Sequence, residues 1–336
     1  MLDAWTLEEG AQRPEAVAER LVAWLDRATV SLDLALYDVR LPGPVGDAVA
    51  DALRRAIGRG VHVRIAYNDE DPGPDKRPFE PPPPSTEPHV LEAIGGELKG
   101  IPGWIDLMHH KFVVADGKAV WTGSANWTLD SWTRQENVLC TVDDVVVAHA
   151  YARVFGDLWR RGEIGSSGGF DTPGGPVRPW FCPGRGPELS ARIAKRIGAA
   201  KRRVRIASPL LTSGPILAAV NECEVDLAGV CDLTQVQQVF HQWNHNPKSA
   251  WKSPLLAQAL TRFTGKRSVP WAPGAAHDYM HAKVTVADDV VLLGSFNLSR
   301  SGEFNAENVL EIADAELADR LAAWIDHLRS RYTDAL

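Results

Sequence analysis

The stretch MHHKFVVADGKAVWTGSANWT, residues 108–128, decides the fold, because MHAKVTVADDVVLLGSFNLS at residues 280–299 repeats its pattern. The second copy starts 172 residues after the first and is one residue shorter at the turn. In each copy an apolar, β-branched run, a turn and a second apolar run predict a β-hairpin. The chain is therefore predicted to contain two copies of one unit.

The repeat extends in both directions from this hairpin. Upstream, VSLDLA at 30–35 aligns with RRVRIA at 202–207, and downstream RQENV at 134–138 reappears as NAENV at 305–309. The rest of each copy alternates between helical and strand patterns, which is typical of a sheet covered by helices. The sequence therefore predicts an α/β protein with two similar α/β/α lobes, each a mixed sheet flanked by helices, packed about a pseudo-twofold axis.

The lobe boundaries follow from local composition. Residues 161–188 are rich in Gly, Pro and Ser and are predicted to form a linker, so that the N-terminal lobe covers 1–160 and the C-terminal lobe 189–336. The lobes differ most after one strand, where 69–88 is Pro-rich and predicted to be a loop, whereas 232–263 has a helical pattern. Insertions at such positions commonly contact substrate in α/β proteins.

Composition and charge limit the class of protein. Of the 336 residues, 45% are hydrophobic and 24% are charged, as in globular proteins. There is no apolar run of about 18 residues and no recognisable signal peptide, and the four cysteines lack CxxC spacing, so we expect a reduced, cytoplasmic protein. The net charge is −7, with −9 in the N-terminal lobe, which argues against an extensive nucleic-acid-binding surface but allows a locally basic cleft.

Each copy contains the spacing H-x-K-x4-D, followed by G-S-x-N and then by a glutamate. The residues are His109, Lys111, Asp116, Gly123, Ser124, Asn126 and Glu136 in the first copy, and His281, Lys283, Asp288, Gly294, Ser295, Asn297 and Glu307 in the second. One match to the first spacing can arise by chance, but two matches at equivalent places with the same followers do not. These residues are the candidate catalytic and phosphate-binding groups.

Strand geometry explains the spacing of the histidines and lysines. Residues two apart on a strand face the same way, so His109 projects with Lys111, and His281 projects with Lys283. Two lobes related by a twofold axis can then bring both sets to one pocket. A phosphodiester needs a nucleophile, an acid for the leaving oxygen and cations for the non-bridging oxygens, and such a pocket supplies all three.

The acidic members of the motifs have two expected roles. Asp116 and Asp288 follow a strand at a turn, and we expect them to bond turn backbone rather than to attack substrate. Glu136 and Glu307 are candidates to accept the far ring proton of a histidine and so to fix its tautomer. The two histidines can then divide the work, one neutral and attacking, the other protonated and donating.

These motifs resemble those of the phospholipase D superfamily, and the resemblance covers nearly the whole chain. It implies a metal-independent phosphodiesterase that forms a phosphohistidine intermediate and uses no cofactor. It further implies that His109 is the nucleophile and His281 the general acid. Lys111, Lys283, Asn126 and Asn297 match phosphate-binding positions, while Asp116 and Asp288 match acids that support the site. Since both motifs lie in one chain, we expect a monomer to be active.

The substrate is less closely determined by the sequence. The first motif is especially similar to phospholipase-D-like endonucleases, which favours a nuclease acting on DNA or RNA. The alternative is a phospholipase D or phosphatidyl transferase acting on phospholipids. An insertion that interleaves Trp243 and Trp251 with cations is compatible with base stacking, with lipid headgroups and with simple packing. The H-x3-H pairs His277/His281 and His241/His245 lack a third ligand, so no metal site is expected.

Overall fold

The computed structural model describes residues 1–69, 86, 88–103, 106–165, 168–172, 174–270, 272 and 275–335, which form two mixed α/β lobes. The N-terminal lobe contains β1 (Leu2–Leu7), α1 (Pro14–Leu25), β2 (Ser31–Leu36), β3 (Val39–Arg40), α2 (Gly43–Gly58), β4 (His62–Asp69), α3 (Pro88–Glu92), β5 (Glu97–Pro102), β6 (Lys111–Ala115), β7 (Ala119–Gly123), β8 (Trp127–Thr128), α4 (Leu129–Thr133), β9 (Asn137–Asp143) and α5 (Val145–Arg161). The C-terminal lobe contains β10 (Val177–Cys182), α6 (Gly186–Ala199), β11 (Arg203–Ala207), α7 (Gly214–Glu222), β12 (Asp226–Asp232), α8 (Leu233–Asn244), α9 (Ser253–Leu260), β13 (Phe263–Lys266), β14 (Val284–Ala287), β15 (Val290–Gly294), β16 (Glu307–Ala313), α10 (Ala315–Arg331) and β17 (Asp334–Ala335).

The two main sheets have the same strand order. It is β1-β9-β7-β6-β2-β4-β5 in the first lobe and β10-β16-β15-β14-β11-β12-β13 in the second, where β17 is added at the edge. In each sheet the central strand pairs in parallel with one neighbour, β2 with β4 and β11 with β12, and antiparallel with the predicted hairpin. The predicted fold class, two similar mixed sheets flanked by helices, is therefore confirmed.

The core is built in layers around these sheets. Helices α1 and α2 cover the outer face of the first sheet, and α6, α7 and α9 cover that of the second. Helices α5 and α10 belong to one apolar cluster that spans both lobes, in which Tyr151 and Phe155 share a core with Ile325 and Leu328. Because this cluster is continuous, the lobes are packed against each other through buried apolar surface.

The predicted linker at 161–188 is only partly a connection. Val177–Cys182 forms β10, an edge strand that pairs antiparallel with β16, and α6 already begins at Gly186. Pro179 is tolerated in β10 because an edge strand has one side without ladder partners. The side chains of Trp180 and Phe181 are buried. The last part of the segment therefore belongs to the second sheet. Most of the Pro-rich segment 69–88 lies outside the described residues.

Two expectations drawn from composition concern membranes and thiols. In the described part of the chain, none of the helices combines the length and the apolar character that are needed to cross a bilayer. Cys140, Cys182, Cys223 and Cys231 are all buried free thiols. Burial raises the pKa of Cys140 and Cys231, so these thiols are poor nucleophiles and pack as small apolar side chains.

Candidate active site

A cavity of about 200 Å³ lies where the two motifs meet between the lobes. His109 and Asn126 from the first lobe and His281 and Asn297 from the second line it. His109 lies two residues before β6 and Asn126 three residues after β7, so both stand at one end of the hairpin. The structure thus brings the predicted histidines and asparagines of both copies to one pocket.

The glycine of each G-S-x-N sequence is required by a close approach of two strands. Gly123 has φ of 150°, and a Cβ there would lie 2.2 Å from the carbonyl oxygen of Val138. A Cβ at Gly294 would lie 2.1 Å from the carbonyl oxygen of Asn308. Because Gly123 has no side chain to separate the two strands, the backbone N–H of the next residue, Ser124, donates to the carbonyl oxygen of Val138 at 2.9 Å. This contact fixes the loop that carries Asn126.

The two motif lysines are buried beside the histidines. Nζ of Lys111 donates to the carbonyl oxygen of His109 at 2.7 Å, and Nζ of Lys283 donates to that of His281 at 2.6 Å. Burial lowers the pKa of Lys111 to about 7, and burial together with repulsion from Lys111 holds the pKa of Lys283 well below its ordinary value. An anion bound here would favour the charged form of both lysines.

His109 is supported by a carboxylate from the other lobe. Its Nδ1 lies 2.8 Å from Oε2 of Glu307, which is fully buried and also accepts from the hydroxyl of Ser295 at 2.6 Å. Burial raises the pKa of Glu307 to about 7, while burial and the nearby lysines lower the pKa of His109. When Glu307 is ionised, this contact places the ring proton of His109 on Nδ1 and leaves the lone pair on Nε2.

His281 has an amide where His109 has a carboxylate. Its Nδ1 lies 3.1 Å from Oδ1 of Asn137, which also accepts from the hydroxyl of Ser124 at 2.7 Å. The expectation that Glu136 would accept the ring proton of a histidine is corrected by this arrangement. The carboxylate of Glu136 instead contacts Nζ of Lys266 at 2.9 Å and accepts from the hydroxyl of Tyr332. Glu136 is therefore part of a buried ion pair outside the pocket.

A difference of one residue explains why the two glutamates have different partners. Asn137 lies 13 residues after the serine that donates to it, Ser124, whereas Glu307 lies 12 residues after Ser295. Asn137 is thus the structural counterpart of Glu307, although Glu136 matches it in the sequence repeat. Since side chains alternate along a strand, a shift of one residue turns them to the opposite face. The two ENV sequences agree in letters but not in register.

The motif aspartates hold the turn at the far end of the hairpin. Asp116, at φ 55°, accepts hydrogen bonds from the backbone N–H groups of Thr29, Val30 and Ser31. Asp288 accepts from the corresponding amides of residues 201–203. Burial raises the pKa of Asp116, but the hydrogen bonds outweigh it and lower the pKa overall. Neither Asp116 nor Asp288 is among the described residues that line the pocket.

We expect Asp116→Asn to lower the free energy of unfolding by about 1–2 kcal/mol at neutral pH, because one accepting oxygen is replaced by a donor that faces amide donors. Turnover per folded molecule should stay close to that of the unchanged protein. The carboxylate has a lowered pKa in the folded state, so its contribution is present above about pH 4 and is lost as the pH falls through the folded-state value. Denaturant unfolding at neutral and acidic pH measures both effects.

Asp288→Asn is the matched variant, since the same turn recurs in the second lobe. The two substitutions should lose similar stability, and the difference from the unchanged protein should shrink at low pH. If Asp116→Asn lost turnover while keeping its stability, the aspartate would belong to the catalytic machinery instead.

Most of the pocket rim lies outside the residues that the two motifs predict. Asp38, Arg40, Gln235, His277 and Tyr279 line the same cavity as the two motif histidines, His109 and His281. Oδ1 and Oδ2 of Asp38 each accept a hydrogen bond from the Arg40 guanidinium at 2.8 Å. This pairing holds the positively charged Arg40 side chain at the wall of the pocket. Burial raises the pKa of Asp38, and the pairing with Arg40 opposes it. For Asp38, the location in the chain could have indicated the site. Asp38 follows the carboxyl end of β2, where α/β proteins commonly place residues that contact a ligand.

The His-x3-His pairs do not assemble a cluster of metal ligands among the described residues. His277 packs its ring on Tyr279, with centroids 5.3 Å apart, and its Nε2 lies 3.2 Å from the carbonyl oxygen of Ala272. His241 and His245 are exposed, with ring centroids 4.3 Å apart. The second histidine of the first motif, His110, is buried against Phe112 and contacts Asn308 through Nδ1 at 3.2 Å.

Both the fold and the paired motifs agree with a comparison to protein families. The family model described as "Cardiolipin synthase, PLD-like domain" matches residues 21–159 and 193–329, one match in each lobe. The chain belongs to the phospholipase D superfamily of phosphodiesterases.

Individual relatives cover parts of the chain. It is 32% identical to the mitochondrial cardiolipin hydrolase of Xenopus tropicalis over 147 residues and 51% identical to that of Xenopus laevis over 149 residues. These matches cover 44% and 43% of this chain, and the chain spans 62% of the length of each relative. The crystal structure of phosphatidylserine synthase from Haemophilus influenzae Rd KW20 shares the fold. Its TM-score is 0.65 over 98% of this chain and 86% of that chain, at 13% identity.

Proposed function

We propose that this chain hydrolyses phosphodiesters through a covalent intermediate on His109 and without a metal ion. The observation that carries the proposal is the unequal support of two histidines in one pocket. His109 contacts the carboxylate of Glu307, whereas His281 contacts the amide of Asn137. A neighbouring carboxylate stabilises the positive charge that a histidine gains when it attacks phosphorus. A neutral amide orients the ring without that charge stabilisation, which suits a histidine that must release its proton.

In the first step Nε2 of His109 attacks phosphorus, so that an N–P bond forms and the P–O bond to the leaving group breaks. The leaving oxygen takes a proton from His281. In the second step water gives a proton to His281 and attacks phosphorus, the N–P bond breaks, and both histidines return to their starting states. Burial and the two lysines lower the pKa of His281, and a bound phosphodiester anion offsets this so that the ring can carry the proton.

The lysines and asparagines bind the non-bridging oxygens in this proposal. Asn126 and Asn297 line the pocket beside the histidines. Oδ1 of Asn126 is buried without a hydrogen-bond partner among the described residues, so its amide can reorient toward a ligand without breaking a contact there. The two ammonium groups supply the positive charge that stabilises the five-coordinate transition state.

For the substrate we propose a phospholipid. The relatives in Xenopus are named for hydrolysis of cardiolipin, a lipid. The N-terminal lobe, with 16 Lys and Arg against 25 Asp and Glu in residues 1–160, disfavours the approach of a polyanionic strand more than that of a lipid with few phosphates. The second candidate is a nuclease acting on DNA or RNA. It is favoured by Lys252, which lies within 6 Å of the rings of Trp243 and Trp251 on the second-lobe insertion.

One comparison separates the two substrates. Vesicles that contain cardiolipin or phosphatidylglycerol are incubated under the same metal-free conditions as single-stranded DNA, duplex DNA and RNA. The variant with His109→Ala and His281→Ala identifies any contaminating activity. Release of lipid headgroups with intact nucleic acids supports the phospholipid proposal. Cleavage of nucleic acid without lipid turnover replaces it by the nuclease, and turnover of neither contradicts both.

We expect activity to survive complete removal of divalent ions by EDTA, with less than a twofold change. Histidine, lysine and asparagine side chains fill the roles that a two-metal site gives to its ions, namely nucleophile activation and charge stabilisation. Turnover is measured before and after dialysis against chelator, with a metal-dependent phosphodiesterase as a positive control. Activity that disappears in EDTA and returns with one divalent ion would contradict the proposed chemistry.

A further inference from the structure

An exposed apolar surface lies on the second-lobe insertion, outside the pocket. We call it the Trp251 surface, and it consists of Pro247, Lys248, Trp251, Lys252, Pro254 and Leu255. Trp251 is 64% exposed, which is unusual for a tryptophan, and Leu255 nearby in the chain is 40% exposed. They are four positions apart, because the 3-10 turn Ala250–Lys252 leads directly into α9 (Ser253–Leu260), so both belong to one exposed segment.

The core does not require these side chains. The inner face of α9 is formed by Leu256, Ala259 and Leu260, which are buried in the core of the second lobe. The indole Nε1 of Trp251 donates to the carbonyl oxygen of Lys248 at 3.2 Å, so the hydrogen-bonding group of the ring is satisfied within the turn. What the ring offers to solvent is therefore apolar surface.

The charges on the segment that carries the Trp251 surface are of one sign. Residues 233–277 contain no Asp or Glu, although the chain as a whole has 43 of them, and they contain five Lys and Arg. Two of these cations, Lys248 and Lys252, flank Trp251, and Nζ of Lys252 lies 5.7 Å from its ring centroid. A tryptophan and a leucine beside lysines, on a segment without acids, complement a surface that is both apolar and anionic.

We propose that the Trp251 surface docks on an anionic phospholipid bilayer. Tryptophan partitions to the boundary between headgroups and acyl chains, leucine gains from burial among the chains, and lysines gain from the negative surface potential. A nucleic-acid strand would use the ring and the lysines but leave Leu255 and the two prolines in water. A second copy of this chain would bring the same lysines face to face, which costs electrostatic energy.

Docking also bears on the pocket. Helix α8 carries Gln235, a pocket residue, in its first turn and leads at its other end to the Trp251 surface. A helix of 12 residues is about 18 Å long, so the two ends of α8 lie about that far apart, one at the pocket and the other just before the Trp251 surface. Docking thus concentrates the chain where lipid phosphodiesters are, a consequence that rests on the proposed function, whereas the docking itself does not.

The test is co-sedimentation of the full chain with phosphatidylcholine vesicles, with and without phosphatidylglycerol. We expect binding only to the anionic vesicles. Lys248→Glu with Lys252→Glu should weaken it by at least about twenty-five-fold, since each lysine contributes about fivefold near such a surface. Trp251→Ala with Leu255→Ser should also abolish detectable binding. The matched control, Lys118→Glu with Lys195→Glu, changes the net charge equally at exposed lysines elsewhere and should bind as the unchanged protein does.

Hydrolysis of soluble bis(p-nitrophenyl) phosphate should be unchanged in all of these variants, which separates failure of docking from failure of the proposed function. Three results overturn the inference: no binding of the unchanged protein to anionic vesicles, equal weakening by the control variant, or loss in the Trp251 variants of single-stranded DNA binding instead of vesicle binding. A mass that doubles with concentration in light scattering, and falls back in the Trp251 variants, would assign the surface to self-association.

Discussion

His281→Ala should release a stoichiometric burst of p-nitrophenol from bis(p-nitrophenyl) phosphate and then stall, whereas His109→Ala should release none. If His109 attacks phosphorus, its removal eliminates the intermediate, and turnover falls by at least about ten-thousandfold. If His281 only donates and later accepts a proton, attack survives on a substrate whose leaving group needs no acid. Hydrolysis of the adduct then lacks its base, so the enzyme stops after one event.

The burst is measured by rapid mixing, and the adduct by the mass of the intact chain after an acid-free quench. The double variant provides the control, since it should show neither burst nor added mass. A burst from His109→Ala with none from His281→Ala would exchange the roles of the two histidines while keeping the chemistry. The absence of an adduct in every variant would remove the covalent mechanism, although the pocket and its charges would remain.

The fold and the membership of the pocket follow from local pattern. Hydrophobic alternation predicts the hairpins that begin at Lys111 and Val284, and the repeat predicts that both lobes have one topology. Side chains two apart on a strand share a face, so His109 and Lys111 are predictable as neighbours. Because the two lobes are copies of one unit, pairing about a twofold axis brings the same face of each lobe together. Both motifs then meet in one shared pocket.

The sequence does not reveal that the strands β9 and β16 differ in register by one residue between the two lobes. The repeated letters ENV align Glu136 with Glu307, but the serine hydroxyl that marks the site donates to Asn137 in one lobe and to Glu307 in the other. An extra residue after Ser124 is absorbed in the segment that contains α4, and identity of letters carries no information about which strand face they occupy. The strand face that each residue occupies becomes visible only from the pairing of β9 with its neighbouring strands.

Contacts between residues that are far apart in the chain also cannot be predicted from the sequence pattern. Lys266, on β13, reaches Glu136 across the lobe boundary, and Glu9 from the first lobe also contacts it at 3.2 Å. The residues of this buried cluster are far apart in the chain and no spacing connects them. The same holds for β10, which is formed by a segment whose Gly and Pro content is typical of loops. It becomes a strand because β16 offers an edge to pair with.

The unequal partners of the histidines lead to the second large effect. Glu307→Gln keeps the shape of the side chain but removes its charge, so the imidazolium that forms during attack by His109 loses its stabilising anion. We expect turnover to fall by about ten-thousandfold, a loss of the size seen when a carboxylate that supports a histidine becomes an amide. The matched variant is Asn137→Asp, which adds the same charge at the structurally equivalent place beside His281.

Asn137→Asp should change turnover far less, because His281 keeps an acceptor 3.1 Å from Nδ1, and the new carboxylate favours the protonated ring. The pKa of His281 rises, so the pH range in which it can act as an acid extends upward, and the pH profile of kcat on a substrate with a poor leaving group shows that shift. The variant that combines both substitutions exchanges the partners of the two histidines. If the carboxylate selects the nucleophile, the phosphorus adduct should move from His109 to His281, which peptide mapping of the trapped adduct detects. An adduct that stays on His109 in the combined variant would mean that the lobe, and not the partner at Nδ1, determines which histidine attacks.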